Sequence, residues 1–143
     1  MKTQIFRLGI LYFLFVLTSC IFDSSGETIK GRYNVLWIDT HANRSICYAA
    51  KNGELGGSQK VGAFINELGF NDNYIIAKRI YFNPFEKMNK PNYDSVSYYI
   101  IDMTKETEYK DDDVFGPFNG NEFKKKKVEL GISELEFSKT YHE

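Results

Sequence analysis

The stretch that decides the fold is residues 74–82, which read Tyr-Ile-Ile-Ala-Lys-Arg-Ile-Tyr-Phe. Isoleucine and the aromatic residues favour extended backbone. A second run of the same character, Ser-Val-Ser-Tyr-Tyr-Ile-Ile-Asp-Met, occupies residues 95–103. Asn and Asp at 71–73 favour a tight turn before the first run, and the prolines within residues 83–94 favour a loop between the two. The sequence therefore predicts two long strands at its centre.

Further strands are predicted on both sides of this pair. Residues 31–40 carry β-branched and aromatic side chains on both faces, which favours a strand inside a sheet rather than at its edge. Residues 46–51 predict another strand. We expect residues 60–70 to form a single strand with a bend, and a helix over 61–68 is the alternative. The alternation of residues 132–137 predicts a last strand.

One helix is predicted near the C-terminus, over residues 122–130. Asn119 or Asn121 can cap its first turn, and Gly131 can end it. Phe123 and Leu130 are seven residues apart and share a face, which we expect to pack on the sheet. Gly116 and Pro117 are expected to break the chain before this helix. The predicted fold class is α+β, a small antiparallel sheet of about five or six strands with one helix in the C-terminal region.

The N-terminus has the pattern of a secretory signal. Lys2 and Arg7 precede an apolar run at residues 8–16 that is too short to span a bilayer. The sequence Leu-Thr-Ser-Cys that ends at Cys20 resembles the lipobox of bacterial lipoproteins. That resemblance implies cleavage before Cys20 and attachment of lipid to its thiol. A plain secretory signal cut near Ser19 and a retained membrane anchor are the alternatives.

These patterns divide the chain into three parts. Residues 1–19 are predicted to be a lipoprotein signal peptide, residues 20–28 a flexible tether, and residues 29–143 a single α+β domain. The predicted location is the cell envelope, with the protein anchored by lipid to the inner or the outer membrane. Two or three acyl chains hold a protein to a bilayer where one chain barely does.

The charge and the cysteine count argue against nucleic acid as a partner and against an internal disulfide. The formal net charge is −1, so the chain has no overall field that favours nucleic acid. Cys47 is the only cysteine besides Cys20. If Cys20 carries lipid, no internal disulfide can form, and the core must hold the fold alone.

Several short segments resemble a family of small bacterial lipoproteins that is known only as a domain of unknown function. They are Tyr74-Ile75-Ile76-Ala77-Lys78, Tyr98-Tyr99-Ile100-Ile101-Asp102, Gly116-Pro117, Glu122-Phe123 and Leu130-Gly131-Ile132. The resemblance spans most of the chain after Cys20. It implies a lipobox, secretion and one compact domain, and it implies no activity, cofactor or substrate.

The only arrangement that suggests catalysis is Cys47 with His41 and Asp39. A cysteine nucleophile needs a neighbouring imidazole to activate it and a carboxylate to orient that imidazole. Cys47 lies among Ile, Tyr and Ala, however, where cysteine is usually a small core residue. We therefore expect no catalytic residue and no cofactor.

Charged and aromatic clusters have simpler interpretations as well. The three aspartates at 111–113 lack the ligand spacing of a calcium loop, so we expect a solvated acidic loop and no metal site. The lysines at 124–127 could contact anionic headgroups, but a solvent-facing helix flank is favoured. Four tyrosines could line a binding face, although cross-strand packing explains most such residues: Tyr93, Tyr98, Tyr99 and Tyr109.

The sequence thus predicts a lipid-anchored envelope protein that acts as a binding module. Inhibitors and toxin-immunity proteins belong to this class because they need a shaped surface and no catalytic groups. The expected partners are the membrane, reached through the lipid on Cys20, and an unidentified envelope protein, with no nucleic acid. The alternatives are a structural accessory of an envelope complex or, less favoured, a hydrolytic enzyme that uses Cys47 and His41.

Overall fold

The computed structural model describes residues 24–81, 92–105 and 110–141, with side chains from residue 95 in the second range. The predicted signal peptide, Cys20, most of the proline-containing connection at 83–94, and Tyr109 lie outside the described residues. The side chain of Tyr93 lies outside them too.

Within these ranges the chain forms two antiparallel sheets and one helix. The first sheet has the order β1-β2-β3-β4 and is built from β1 (Ser24–Lys30), β2 (Tyr33–Ile38), β3 (Ser45–Tyr48) and β4 (Ser58–Val61). The second has the order β8-β7-β6-β5-β9 and is built from β5 (Ile65–Phe70), β6 (Tyr74–Tyr81), β7 (Asn92–Asp102), β8 (Val114–Phe118) and β9 (Lys139–Thr140). The helix is α1 (Gly120–Glu129).

The second sheet is the middle of three layers. On β6, Ile75 faces the core shared by the two sheets, whereas its neighbour Ile76 faces a separate core beneath α1. On β7, Ile101 and Ile100 divide in the same way. All four side chains are fully buried. A strand covered on both faces needs apolar residues in succession, which explains the unbroken apolar runs of the two central strands.

The predicted helix is confirmed in position and in its ends. Asn119 is the N-cap, and its side chain accepts hydrogen bonds from backbone N–H groups of the first turn. In return, the backbone N–H of Asn119 donates to the Glu122 side chain at 2.9 Å. Phe123 stacks on Tyr98 of β7, with ring centroids 4.8 Å apart. Gly131 follows the helix with a φ of 69°, a conformation that favours glycine.

The predicted single sheet of five or six strands is wrong. The described residues form sheets of four and five strands, so the domain is largely β and fits the α+β class only roughly. The error arises at residues 60–70, which form the end of β4 and then β5 instead of one strand or a helix. Phe64, between them, has a φ of 75°. This turn carries the chain from one sheet to the other.

Three other predicted boundaries are corrected. Residues 24–28, assigned to the flexible tether, belong to β1 and pair with β2. Pro117 does not break the chain but lies in β8, an edge strand where the missing N–H is tolerated. Residues 132–137 are not a strand, because Ile132 and its apolar neighbours pack under α1 and strand pairing resumes only at β9.

Ion pairs join the sheets at both edges. Lys60 of β4 contacts Asp113, the residue before β8, with Nζ and Oδ1 2.9 Å apart. On the opposite side, Lys139 of β9 contacts Glu27 of β1 at 2.5 Å. We call these the β4–β8 latch and the β1–β9 latch. The candidate site lies beside the second.

Candidate functional site

The candidate site is a cleft of about 360 Å³ between the two sheets, beside the β1–β9 latch. We call it the Arg44 cleft. The residues that line it come from β1, β2, the turn after β2 and the residue after β9: Ser25, Gly26, Glu27, Val35, Trp37, His41, Arg44 and Tyr141.

Strand register and one turn place the aromatic wall of the cleft. Val35 and Trp37 share a face of β2, and Trp37 is in register with Ser25 of β1. After β2 the chain turns back at Asp39, which has a φ of 68°. This turn sets the His41 ring against Trp37, with centroids 4.2 Å apart and planes at 71°. The result is an edge-to-face aromatic pair at the mouth of the cleft.

Arg44 supplies the cation of the cleft. Its backbone carbonyl accepts a hydrogen bond from Ile65 at 3.1 Å, which fixes its position where the two sheets meet. Its guanidinium lies over the ring of Tyr141, 4.6 Å from the centroid. Tyr141 is held by two hydrogen bonds with Asn66, at 2.8 and 3.1 Å. Among the described residues, the Arg44 side chain has no ion pair or hydrogen bond.

Glu27 is the carboxylate of the cleft, and its charge is already matched. Tyr141 donates its hydroxyl to Oε1 at 2.5 Å, and Lys139 donates to Oε2 at 2.5 Å. Burial acts to raise the pKa of Glu27, but the hydrogen bonds from Lys139 and Tyr141 outweigh it and hold the pKa below its usual value. Burial, and then Glu27 itself, raise the pKa of Tyr141. Glu27 is therefore an anion and Tyr141 a neutral phenol at neutral pH. The charge of Arg44 also helps to lower the pKa of Glu27, although the two side chains form no ion pair.

The structure does not bring Cys47, His41 and Asp39 together. Cys47 lies on β3 opposite Asn34, whose side chain exchanges hydrogen bonds with the backbone of Gly56 in the β3–β4 loop. Cys47 is buried, with Ser45 Oγ 3.8 Å from its sulfur. Burial raises the pKa of the Cys47 thiol, only partly opposed by the hydrogen bond with Ser45. His41 instead packs on Trp37. The arrangement thus lacks the thiolate and the imidazole contact that a cysteine nucleophile needs.

The other predicted clusters are divided by the fold. Asp113 is fully buried in the β4–β8 latch, so only two of the three aspartates match the predicted solvated loop. Within the described residues no group of three or more His, Cys, Asp or Glu could hold a metal ion. Lys124 and Lys125 are exposed as predicted for a solvent-facing flank, whereas Lys127 is buried and Lys126 pairs with Glu129 at 2.7 Å. Tyr98 packs under α1, and Tyr99 packs against the core between the sheets.

Sequence reasoning missed most residues of the Arg44 cleft. The sequence predicts that Glu27 lies in the tether and Arg44 in a loop. Tyr141 lies more than one hundred residues from Glu27, and no local pattern connects the two. His41 is the one lining residue that the sequence analysis weighs as a site residue, there with Cys47, and Trp37 offers a further signal as the single tryptophan of the chain.

Residues 30–141 match the family described as Protein of unknown function (DUF3997), so the chain belongs to this family. The predicted resemblance to a family of unknown function is confirmed to that extent. Searches of curated proteins and of solved structures found no match. In the described ranges no helix is long and apolar enough to cross a membrane.

Proposed function

We propose that this protein is a lipid-anchored cell-envelope protein that acts as a binding module, with the Arg44 cleft as its binding site. The observation that carries the proposal is the make-up of the cleft. It combines an aromatic pair with a guanidinium that forms no ion pair or hydrogen bond among the described residues, and such a site suits a ligand with an anionic group and an apolar part. The lipobox-like sequence at Cys20 supports the anchor.

Binding is better supported than catalysis. A hydrolase that uses Cys47 would need an accessible thiolate, and burial of this thiol acts against both requirements. The Arg44 cleft offers attraction and shape, whereas its carboxylate is occupied by Lys139 and Tyr141. An inhibitor or immunity protein would use such a surface without any chemical step.

The anchor is tested by metabolic labelling. Cells that express the full chain are fed an alkyne fatty acid, and the wild type is compared with Cys20→Ala. We expect label in the wild type alone. Equal label in both proteins would overturn lipidation at Cys20.

The binding site is tested by photocrosslinking in the same cells. A photoreactive amino acid at position 41 should form an adduct with the bound ligand, and Arg44→Gln should remove most of that adduct. Leu55 is an exposed apolar residue away from the cleft, so Leu55→Ala is the matched control and should leave the adduct unchanged. An adduct that survives Arg44→Gln would show that Arg44 does not hold the ligand.

A further inference from the structure

One end of the sandwich gathers the beginning of β1 and the ends of β2 and β6. Ser24 is in register with Ile38. Backbone hydrogen bonds from Ile65 to Arg44 and from Ile80 to Phe64, at 3.1 and 3.0 Å, bring the end of β6 to this side of the molecule. We call it the proximal end. It comprises Ser24, Trp37, Ile38, His41, Arg44 and Tyr81, and it includes the mouth of the Arg44 cleft.

Apolar side chains are exposed at the proximal end. Ile38 is 43 % exposed and Tyr81 is 54 % exposed. Trp37 precedes Ile38 in β2, is half-buried and lines the Arg44 cleft. Tryptophan and tyrosine favour the boundary between water and lipid, because an apolar ring and a polar N–H or O–H can each find a suitable environment there.

The proximal end also favours anions. The charged side chains described there are Arg44, Arg79, Asp39 and, deeper in the cleft, Glu27. Arg79 donates to the Ala63 carbonyl at 2.7 Å, and Glu27 is bonded to Lys139. With the charge of Glu27 matched by Lys139, this group keeps two guanidinium groups and one exposed carboxylate, Asp39. Guanidinium groups match phosphate oxygens in both charge and geometry.

The distance from the proposed anchor to this end is short. Ser24 begins β1, and only residues 21–23 separate it from Cys20. Four residue steps span at most about 14 Å even when fully extended. A lipid on Cys20 would therefore hold the proximal end, where Ser24 is in register with Ile38, close to the bilayer surface.

We infer that the proximal end docks on the membrane that carries the anchor, with Trp37, Ile38 and Tyr81 in the interface and Arg44 on the phosphate of an anionic lipid headgroup. The inference rests on the proposed anchor at Cys20 and names the ligand of the Arg44 cleft. Docking of this kind fixes the orientation of the domain. The opposite end, where β5 ends at Phe70, then faces away from the membrane.

The fluorescence of Trp37 tests this directly, because the chain has no other tryptophan. Full-length protein is purified from membranes and reconstituted into phosphatidylglycerol vesicles that contain a phospholipid brominated near the headgroup. We expect bromolipid to quench most of the Trp37 emission and aqueous acrylamide to quench little of it. Phosphatidylcholine vesicles in place of phosphatidylglycerol, or Arg44→Gln, should weaken the bromolipid effect and raise the acrylamide effect.

The matched control moves the tryptophan to the opposite end. Phe70 is an exposed aromatic residue at that end, so the double variant Trp37→Phe, Phe70→Trp should be quenched by acrylamide and not by bromolipid. Equal quenching of both proteins by bromolipid, or of both by acrylamide alone, would overturn the docked orientation. The mass of the Cys20 peptide from the same sample separates the two proposals. Unmodified Cys20 would overturn the anchor, whereas acylated Cys20 without bromolipid quenching would overturn the docking alone.

Discussion

The two edges of the sandwich are joined by ion pairs of the same chemistry in very different surroundings. In the β4–β8 latch the side chains of Lys60 and Asp113 are 1 % and 0 % exposed. In the β1–β9 latch the side chains of Lys139 and Glu27 are 45 % and 40 % exposed. A buried charge that loses its partner has no water to replace it, whereas an exposed one is solvated at once. The comparison therefore predicts that the buried ion pair contributes much more to the stability of the fold than the exposed one.

The buried latch is also the more connected of the two. Lys60 donates to Asp113 and to the carbonyl of Lys110 at 2.9 and 2.5 Å, and Tyr33 donates its hydroxyl to the other oxygen of Asp113 at 2.9 Å. The Lys60 ammonium also lies 5.8 Å from the ring centroid of Tyr48. Four backbone segments thus meet at one carboxylate and one ammonium. Loss of either group disturbs all of them.

The largest effect is expected from Asp113→Ala. It removes the buried carboxylate 2.9 Å from the Lys60 ammonium and leaves the exposed Asp111 carboxylate 3.9 Å away, which should destabilise the fold by about 3–5 kcal/mol. Thermal denaturation of the chain without residues 1–20 measures this. The double variant Lys60→Met, Asp113→Leu removes both charges and should recover much of the loss. If the double variant is as unstable as Asp113→Ala, the loss of stability comes from losing the ion pair and not from the buried charge of Lys60 that the single variant leaves behind.

The next largest effect is expected from Phe123→Ala, which measures the loss of stability when an apolar contact away from both latches is removed. Phe123 packs beneath α1 with Tyr98 and Phe137, and its removal should cost about 3–5 kcal/mol, at the lower end because the helix can settle into the space. Lys125→Ala, on the exposed side of the same helix, should hardly change the melting temperature. Equal, small shifts in both would mean that the helix does not stabilise the second sheet.

The comparison also shows what the sequence could predict. The runs around Ile76 and Ile100 form strands because their consecutive apolar residues suit a sheet covered on both faces. This pattern can be recognised from a short stretch of sequence. The Asn119 cap, the buried Phe123 and the Gly131 stop are local as well, so the helix was predicted nearly to the residue. Such features depend on neighbours along the chain.

Both latches and the Arg44 cleft depend on partners distant in sequence. Lys60 meets Asp113 only because β4 and β8 are edge strands of different sheets, and Glu27 meets Tyr141 for the same reason on the other side. The division of the chain into two sheets follows from the turn at Phe64. A non-glycine residue with positive φ leaves no clear mark in the sequence. Without that turn, the pairings across the sandwich could not be predicted.

A smaller effect is expected at Cys47, on the outer face of the first sheet and away from both latches. Cys47→Ala should cost about 1 kcal/mol through lost packing and should leave ligand crosslinking at position 41 unchanged. Because burial raises the pKa of its thiol, the native protein should react slowly with a thiol-alkylating reagent until it is unfolded. Rapid alkylation of the folded protein, or loss of crosslinking in Cys47→Ala, would return Cys47 to the candidate site.

The smallest effect is expected at the exposed latch, from Glu27→Gln. The amide oxygen of this variant would still accept the hydrogen bond from Tyr141, but the charge that attracts Lys139 would be lost. A partly exposed pair of this kind contributes about 0.2–1 kcal/mol. Denaturant unfolding at neutral pH should therefore show a small gap between the free energies of unfolding of wild type and variant. Glu54→Gln is the matched control, since Glu54 forms a looser pair with Lys51 at 3.9 Å and should show a smaller gap still.

The pH dependence of that gap identifies its origin. The pKa of Glu27 is lower in the folded protein than its ordinary value of 4.5, so its contribution to stability is fully present above that value and is lost as the pH falls through the lowered one. The gap between wild type and Glu27→Gln should therefore be present at neutral pH and vanish in acid, below the lowered pKa, where the folded carboxyl takes up its proton. A gap of the same size at neutral and at acid pH would assign the effect to packing. In that case the charge of Glu27 would contribute nothing measurable to the free energy of unfolding.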